Sequence, residues 1–260
     1  MITLVELLMM LDIAKSAAAR EVHAIIPYFS YARSDKKDAP RISITARLVA
    51  DLLRTSGATH VMTMTLHSPR YTASSVFRPI PLPHVVCLRA ISCREFSPAD
   101  TVVVAPDMGS AKSSARFADM LGLGIAAANK TRIDDKNVQI SDLIGRQVSG
   151  FRRAIIHDDE IATGGTIVEL SRKLVEFGIE EIYVVCTHGL FLGNAFERLA
   201  TVPEIAEIVT TDTVAIPGRE KPDNLVTLST APVFAGAIRQ NYFRKSIGDL
   251  FDFADATMRG

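Results

Sequence analysis

The segment RAIIHDDEIATGGTIVEL (153–170) joins an apolar run to an acidic pair and then to a glycine turn that opens a helical pattern. The apolar run predicts a buried strand that ends at Asp158 and Asp159. Parallel α/β sheets bind ligands where their strands end, and the backbone amides at a helix start attract phosphate. Glycine lets the backbone approach such a ligand closely, and threonine adds hydroxyl donors. The segment therefore predicts a phosphate-binding turn made of Thr163, Gly164, Gly165 and Thr166.

The acidic pair gives this turn a second chemical function. Two carboxylates do not bind phosphate, but they accept hydrogen bonds from sugar hydroxyls, directly or through Mg²⁺. A simpler interpretation is a helix that follows a strand, with acids that merely flank it. A lone Gly-Gly turn would favour that simpler interpretation. The combination of the acidic pair with T-G-G-T favours a sugar-phosphate site.

Strand and helix patterns alternate along most of the chain. Together with 153–158, the predicted strands are VHAIIPY (22–28), HVMTMTL (60–66), TVVVAP (101–106), GIAAAN (124–129), EIYVVCTH (181–188) and IVTTDTV (208–214). Helical patterns fall at 43–56, 111–121, 164–177, 193–200 and 231–244. Short strands rich in β-branched residues are typical of buried parallel sheets. The alternation predicts an α/β fold with mostly parallel sheets.

A proline-rich run suggests where the chain divides. RPIPLPH (78–84) has three prolines in five positions, and proline fixes the backbone and removes a hydrogen-bond donor. The run predicts an extended connector. We therefore expect an N-terminal domain over residues 1–84, to which 243–260 returns, and a C-terminal domain over 85–242.

Bulk composition excludes several classes of protein. The 29 basic and 29 acidic residues leave no net charge, which argues against a nucleic-acid partner. Three cysteines are too few and too irregular for a disulfide framework or a zinc site, and they favour the cytoplasm. The opening MITLVELLMMLDIAKSAAAR (1–20) carries acidic residues and falls short of the ~20 apolar residues of a membrane span. It predicts a buried amphipathic helix.

Three other segments carry polar residues that could bind a ligand. VVVAPDMGSAKSSARFA (102–118) places Asp107 and a Gly-Ser turn between a strand and a helix, which predicts a second phosphate-type loop. His67 follows a strand, where imidazole can bind metal or phosphate, although a lone histidine is more often structural. AANKTRID (127–134) carries Lys130 and Arg132, and the polar, weakly patterned stretch from Ile133 to Gln147 predicts a mobile loop.

Taken together, these segments resemble the ribose-phosphate diphosphokinases, a family with the type I phosphoribosyltransferase fold. The similarity covers nearly the whole chain and includes PYFSYARSDKK (27–37), THGLFLGNAFERL (187–199) and LSTAPVFAGAIRQ (228–240). The resemblance implies two tandem phosphoribosyltransferase-like domains. Nothing in the chain matches the strand-rich portion that precedes the LVELLMMLD helix in the family. We therefore expect an incomplete N-terminal domain.

The resemblance also implies roles for individual residues. The ribose 5-phosphate site would consist of Asp158, Asp159, Ala162, Thr163, Gly164, Gly165 and Thr166. The ATP site would consist of Arg33, Ser34, Asp35, Lys36 and His67. The metal ligands for Mg²⁺ would be His67 and Asp107, and the catalytic residues would be Lys130 and Arg132, which offset charge on the transferring diphosphate. The family usually has an acid where Ala162 stands, so the resemblance implies a weaker ribose site or a role for Glu160.

The family's activity is transfer of a diphosphate from ATP to ribose 5-phosphate, which gives phosphoribosyl diphosphate and AMP for nucleotide biosynthesis. The resemblance implies Mg²⁺ as the cofactor and assembly into dimers or hexamers. One alternative is a non-catalytic, regulatory subunit of the same family, which Ala162 and the missing N-terminal portion favour. Another is a phosphoribosyltransferase that acts on a base, which would leave the segment 27–37 and His67 unexplained.

Overall fold

The computed structural model describes residues 2–35, 41–66, 80–82, 91, 94–128, 130–132, 138–140, 143–216 and 221–246. The chain forms two compact units. The N-terminal unit draws on Met1–Pro83 and Val233–Phe251, and the C-terminal unit draws on His84–Pro232. The predicted return of 243–260 to the N-terminal domain concerns mainly residues 247–260, which lie outside the described part.

The N-terminal unit contains a parallel sheet with the strand order β1-β2-β3. Its elements up to that sheet are α1 (Ile2–Ser16), β1 (His23–Ile26), α2 (Thr45–Thr55), β2 (His60–Met64) and β3 (Ile80–Leu82). Leu11, Val49 and Leu53 pack with Val61 in its core. The helix predicted at the N-terminus is present, but its expected burial is wrong in part, because Met9 and Met10 are mostly exposed. The helix is apolar on more than one face, and only one face meets the core.

The proline-rich run was expected to be an extended connector, and part of it is a strand. Ile80–Leu82 pairs in parallel with Met62–Met64, so that Pro81 stands opposite Thr63. β3 lies at the edge of the described sheet. An edge strand tolerates proline because one of its sides needs no amide donor. The prolines therefore limited the strand in length without preventing it.

The C-terminal unit contains a six-stranded parallel sheet and a small antiparallel ribbon. Its elements are β4 (Thr101–Ala105), α3 (Ala111–Leu121), β5 (Gly124–Ala127), β6 (Lys130–Arg132), β7 (Val138–Ile140), α4 (Leu143–Val148), β8 (Arg153–Ile161), α5 (Gly165–Glu176), β9 (Glu181–Gly189), α6 (Ala195–Leu199), β10 (Ile205–Thr211) and β11 (Leu225–Leu228). The chain then enters α7 (Ala231–Tyr242), most of which belongs to the N-terminal unit.

The strand order β11-β10-β9-β8-β4-β5 reverses direction between β4 and β8. From β4 the chain adds β5 on one side, and it later returns to add β8 on the other side. In open parallel sheets, such a reversal leaves a crevice outside the carboxyl ends of the two strands, where ligands bind. The fold therefore directs attention to the residues that follow β4 and those that end β8.

Both faces of this sheet are covered, which explains the nearly continuous apolar strands. Val104 and Ile156 belong to a core on the α5 side with Leu170. Ile155 belongs to a second core with Phe117 of α3. The predicted α/β fold with mostly parallel sheets is confirmed.

Two expectations about single elements were wrong. The stretch from Ile133 to Gln147 was expected to be a loop, but its second half holds β7 and most of α4, and residues 133–137 lie outside the described part. The strand expected at 153–158 continues to Ile161. The acidic pair therefore lies within the strand and shares its backbone pairing with β9, Asp158 standing opposite Cys186.

Candidate active site

The acidic pair and Asp107 meet at the reversal point of the sheet. β4 and β8 pair in parallel, with Val104 opposite Ile156. Asp107 follows the end of β4 by two residues, while Asp158 stands two residues beyond Ile156. The Asp107 carboxylate is close enough to raise the pKa of Asp158 through its charge. The structure thus brings together two predicted site segments that are about fifty residues apart in the sequence.

Asp158 has a pKa well above the ordinary range of an aspartate. The largest cause is burial, followed by the charge of Asp159 and a side-chain hydrogen bond with it, whereas the amide hydrogen of Asp159 opposes the shift. That amide donates to Oδ1 of Asp158 at 2.9 Å. Crowded carboxylates favour a proton, a metal ion or hydroxyl donors. The site is therefore chemically suited to a cation or a polyhydroxylated ligand.

Asp107 is held in a tight loop before α3. The amide of Ser110 donates to Oδ1 of Asp107 at 2.9 Å, and Oγ of Ser110 donates to the backbone oxygen of Asp107 at 3.0 Å. Any side chain at Gly109 would crowd the carboxylate, because a Cβ there would lie 3.1 Å from Oδ1. The loop fixes the direction of one carboxylate at the head of a helix.

The T-G-G-T turn after β8 has the geometry of an anion site. Gly164 adopts φ +73°, the left-handed region that glycine favours, and as the N-cap of the helix that begins at Gly165 it has no side chain to cap that helix. A Cβ at Gly164 would lie 3.4 Å from Cγ of Leu199, so α6 also restricts this position. Thr163 is exposed, and Thr166 is half-buried. The backbone amides that follow Gly164 at the head of α5 suit a phosphate.

Ala162 stands between the acids and the turn, and its methyl group offers no ligand atom. Its backbone oxygen accepts a hydrogen bond from Leu192 at 2.7 Å. Glu160 is buried in β8 opposite His188, whose Nδ1 lies 2.8 Å from Oγ1 of Thr213. Whether Glu160 takes over the role of the missing acid stays a prediction.

His157 was not singled out by the sequence. It is buried immediately before the acidic pair, its ring stacks on Phe117 at 4.4 Å, and its Nδ1 lies 3.0 Å from Oγ of Ser114. The same hydroxyl donates to the backbone oxygen of His157 at 3.1 Å. These contacts fasten α3 to β8 and so join the Asp107 loop to the acidic pair. The sequence could have indicated the contact between His157 and α3 only if Ser114 had been assigned to the buried face of that helix.

Lys130 and Arg132 form the two ends of β6, which pairs in an antiparallel manner with β7. Only their backbone is described. Their predicted catalytic role stays a prediction, and so do the predicted roles of Lys36 and His67, which lie outside the described residues.

The predicted ATP segment lies in the N-terminal unit and is described up to Asp35. The hydroxyl of Ser34 donates to the backbone oxygen of Ser43 and accepts from the amide of Thr45, both at 3.2 Å. Ser34 therefore stabilises the start of α2. Oδ1 of Asp35 is buried and has no hydrogen-bond partner in the described chain, which is a costly state that a ligand donor would relieve. Arg33 makes interactions within the chain.

The described residues contain neither a cluster of metal ligands nor a helix that could span a membrane. No three histidine, cysteine, aspartate or glutamate residues of the described part lie together as a metal site. Asp107 alone would suit Mg²⁺, which retains water molecules and takes oxygen ligands from substrate phosphates. None of the described helices has both the length and the apolar content needed to cross a bilayer.

Comparison with known proteins places these features in a family. A family model described as the N-terminal domain of ribose phosphate pyrophosphokinase matches residues 2–57. A second model, described as a phosphoribosyl synthetase-associated domain, matches residues 140–252. The second match includes both the acidic pair and the T-G-G-T turn.

Individual relatives agree with these models. A Streptomyces coelicolor protein, provisionally named a ribose-phosphate pyrophosphokinase, is 47% identical over 251 residues, which are 96% of this chain and 78% of the relative. The ribose-phosphate pyrophosphokinase of Deinococcus radiodurans is 42% identical over 95% of this chain and 78% of the relative. The crystal structure of phosphoribosylpyrophosphate synthetase from Mycobacterium smegmatis superposes with a TM-score of 0.83, at 33% identity, over 93% of this chain and 78% of that chain.

The relatives match nearly the whole chain, and the Mycobacterium smegmatis structure shares its fold. From its similarity to proteins of which it covers 78%, the chain belongs to the ribose-phosphate pyrophosphokinase family.

Proposed function

We propose that this chain transfers a diphosphate group from ATP to ribose 5-phosphate, giving phosphoribosyl diphosphate and AMP for nucleotide biosynthesis. One observation carries the proposal more than any other. At the reversal point of the sheet, the strand that bears Asp158 and Asp159 leads through a short turn to a helix N-terminus whose N-cap is Gly164. A sugar phosphate has hydroxyls for the first feature and an anion for the second. The names of the relatives agree with this chemistry.

The protein's contribution to this reaction is to position the substrates. The amides of Gly164, Gly165 and Thr166 would hold the 5-phosphate, while Asp158 and Asp159 would accept hydrogen bonds from the ribose hydroxyls. The anomeric oxygen then forms a bond to the β-phosphorus of ATP, the bond from that phosphorus to the oxygen of AMP breaks, and the anomeric hydroxyl loses its proton. No covalent bond to the protein is needed.

Charge stabilisation is the second contribution. Lys130 and Arg132 would offset the negative charge that develops on the transferring group. Mg²⁺ bound with ATP would neutralise part of the phosphate charge, with Asp107 and His67 as its protein ligands.

The nucleotide would be bound by Arg33, Ser34, Asp35, Lys36 and His67. Oδ1 of Asp35 supports this, because it is buried without a hydrogen-bond donor among the described residues, and a ligand that supplied a donor would stabilise it. Ser34 also accepts a hydrogen bond from the amide of Thr45 at the start of α2. It would keep this hydrogen bond while it contacts the nucleotide.

The test is formation of AMP from ATP and Mg²⁺ in the presence and absence of ribose 5-phosphate. We expect AMP only when ribose 5-phosphate is present, with phosphoribosyl diphosphate in equal amount. Ribose without the phosphate is the matched negative control. A folded chain that makes no AMP under these conditions would contradict the proposal. Release of diphosphate from phosphoribosyl diphosphate on addition of a base would point to a base transferase.

A second candidate is a non-catalytic member of the family that binds a catalytic relative. Ala162 favours it, since the family usually has an acid at this position. Under this candidate the chain would still bind ribose 5-phosphate and would co-purify with a full-length relative, but it would form no AMP. The same assay, together with a pull-down, separates the two.

The assembly and location of the chain are proposals as well. The family resemblance supports a homo-oligomer, either a dimer or a hexamer, and the cysteine content supports the cytoplasm. Equilibrium sedimentation of the full chain would determine the number of subunits.

A further inference from the structure

The guanidinium of Arg198 lies beside the phosphate turn. A Cβ added to Gly165 would lie 3.8 Å from Nη1 of Arg198 and 3.9 Å from Oγ1 of Thr163. A cation and a hydroxyl donor therefore lie on the same side of the turn, next to the first residue of α5. Nothing in the resemblance assigned a role to this arginine.

The position of Arg198 is fixed by its neighbours on α6. Ala195 and Leu199 are buried, and both approach Gly164, so that α6 packs directly on the turn. The amide of Arg198 donates to the backbone oxygen of Asn194 at 3.0 Å. Phe196 stacks on Phe191 with a ring separation of 4.6 Å. The backbone that carries the guanidinium is thus held against the turn.

The guanidinium itself makes no hydrogen bond or ion pair with any other described residue. Other arginines of the C-terminal unit do form pairs: Arg94 with Glu207, Arg152 with Glu180, and Arg153 with Glu181. Arg198 is exposed, so its charge is not buried without compensation. Its charge is available to a ligand that binds at the head of α5.

We infer that Arg198 binds the 5-phosphate of ribose 5-phosphate and makes the site select phosphorylated sugars. The inference rests on the proposed function, because it adds a residue to that same site. Backbone amides and threonine hydroxyls are neutral donors, whereas a phosphate dianion pairs most strongly with a guanidinium. Arg198 places such a guanidinium beside the first residue of α5.

The first test compares steady-state kinetics of the full chain and its variants. Arg198→Ala should raise KM for ribose 5-phosphate roughly tenfold to a hundredfold, the usual effect of losing a charge-assisted hydrogen bond. kcat and KM for ATP should stay within about twofold of the wild type. Arg198→Lys should recover part of the loss, because it restores charge without the planar fork.

The matched control is Arg172→Ala. Arg172 is another exposed arginine near α6, and its Nη2 donates to Oγ1 of Thr201 at 2.9 Å. Arg172 lies about two helical turns beyond Gly165 in α5, so Arg172→Ala removes the same charge at a distance from the turn. Its KM for ribose 5-phosphate should change less than twofold. Equal effects of the two substitutions would overturn the inference, because they would show a general loss of charge rather than a contact.

A second readout does not depend on turnover. Calorimetric titration of ribose 5-phosphate into the wild-type chain and into Arg198→Ala should show the same fold loss of affinity as KM. If the wild type binds the sugar phosphate but forms no AMP, the proposed function fails and the inference is still tested by this loss. Unchanged affinity in Arg198→Ala, or no binding of ribose 5-phosphate to the folded wild type, would overturn the inference.

Discussion

Asp158 is a proposed ligand-binding residue, and its surroundings disfavour the charged form of its carboxyl group. Burial, the charge of Asp159 and the charge of Asp107 together raise the pKa of its carboxyl. Between the ordinary aspartate pKa and this raised value, the folded chain holds a proton that the unfolded chain has released. The free energy of unfolding therefore falls as pH rises through that range, and the penalty is fully present above the folded pKa.

Asp158→Asn should remove this penalty along with the ligand contact. We expect the variant to be more stable than the wild type at pH 8, because it lacks the buried charge, and to converge with it at pH 4. Denaturant unfolding without Mg²⁺ or ligand measures this. Asp119→Asn, at an exposed aspartate of α3, is the control and should show no such pH-dependent gain. The variant should also bind ribose 5-phosphate more weakly. If it is no more stable than the wild type at pH 8, the buried charge of Asp158 does not destabilise the fold.

Gly189 ends β9 at a position where a side chain has no room. A Cβ there would overlap the ring of Phe191 and lie 2.6 Å from Oγ1 of Thr210. Gly189→Ala should cost about 1–3 kcal/mol of stability, the usual cost of overpacking. Denaturant unfolding checks it against Gly124→Ala, a strand glycine whose Cβ would meet Phe151 only at 4.0 Å. A loss no larger than that of the control would show that Phe191 can move aside.

Some residues of the site and of the core could not be predicted from the sequence. The acidic pair and the T-G-G-T turn were predicted because their residue types are unusual together. Arg198, His157 and Gly189 were not, because each is defined by a neighbour far along the chain. Their partners are Gly165, Ser114 and Thr210, and only the packing of helices on the sheet reveals these pairs.

Among the elements, the ribbon of β6 and β7 carries the predicted catalytic residues. Lys130 and Arg132 are two residues apart in β6, the spacing at which residues share one face of a strand. A strand in this place was not predicted, because three polar residues give no apolar alternation to recognise. The sequence predicted a loop after these residues, and the ribbon gives them a paired backbone instead.

Lys130→Ala should lower kcat roughly a hundredfold or more, as loss of one charge-stabilising donor commonly does, with little change in the affinity for ribose 5-phosphate. Thr131→Ala, at the intervening position of the same strand, is the control and should retain most activity. Steady-state kinetics with calorimetric binding separates the two effects. A large loss of ribose 5-phosphate affinity in Lys130→Ala would instead make Lys130 a residue of substrate binding.

The long strands and helices were predicted well because their apolar patterns are strong. Shorter elements such as β3 and α4 were missed or read as connections, since tertiary pairing rather than local pattern stabilises them. The strand order could not be read from the sequence either, and it is this order that brings β4 beside β8. The sequence thus proposed candidate site residues, whereas the structure was needed to show that the Asp107 loop and the acidic pair lie together.

Across the chain as a whole, the family resemblance was confirmed by relatives that match 96% or 95% of its length. The chain spans 78% of those relatives. The division into an N-terminal and a C-terminal unit shows that the sugar-phosphate residues and the Asp107 loop belong to one unit, while Arg33, Ser34 and Asp35 belong to the other.

Nuclear magnetic resonance of the isotopically labelled full chain, titrated with ribose 5-phosphate, tests most directly whether the head of α5 holds the sugar phosphate. We predict saturable binding with the largest amide shifts at Gly164, Gly165 and Thr166, and smaller shifts at Ala111 at the head of α3. Ribose added at the same concentration should leave the chemical shifts of these amides unchanged. Saturable binding that shifts other amides and spares the α5 head, or no binding by the folded chain, would contradict the assignment.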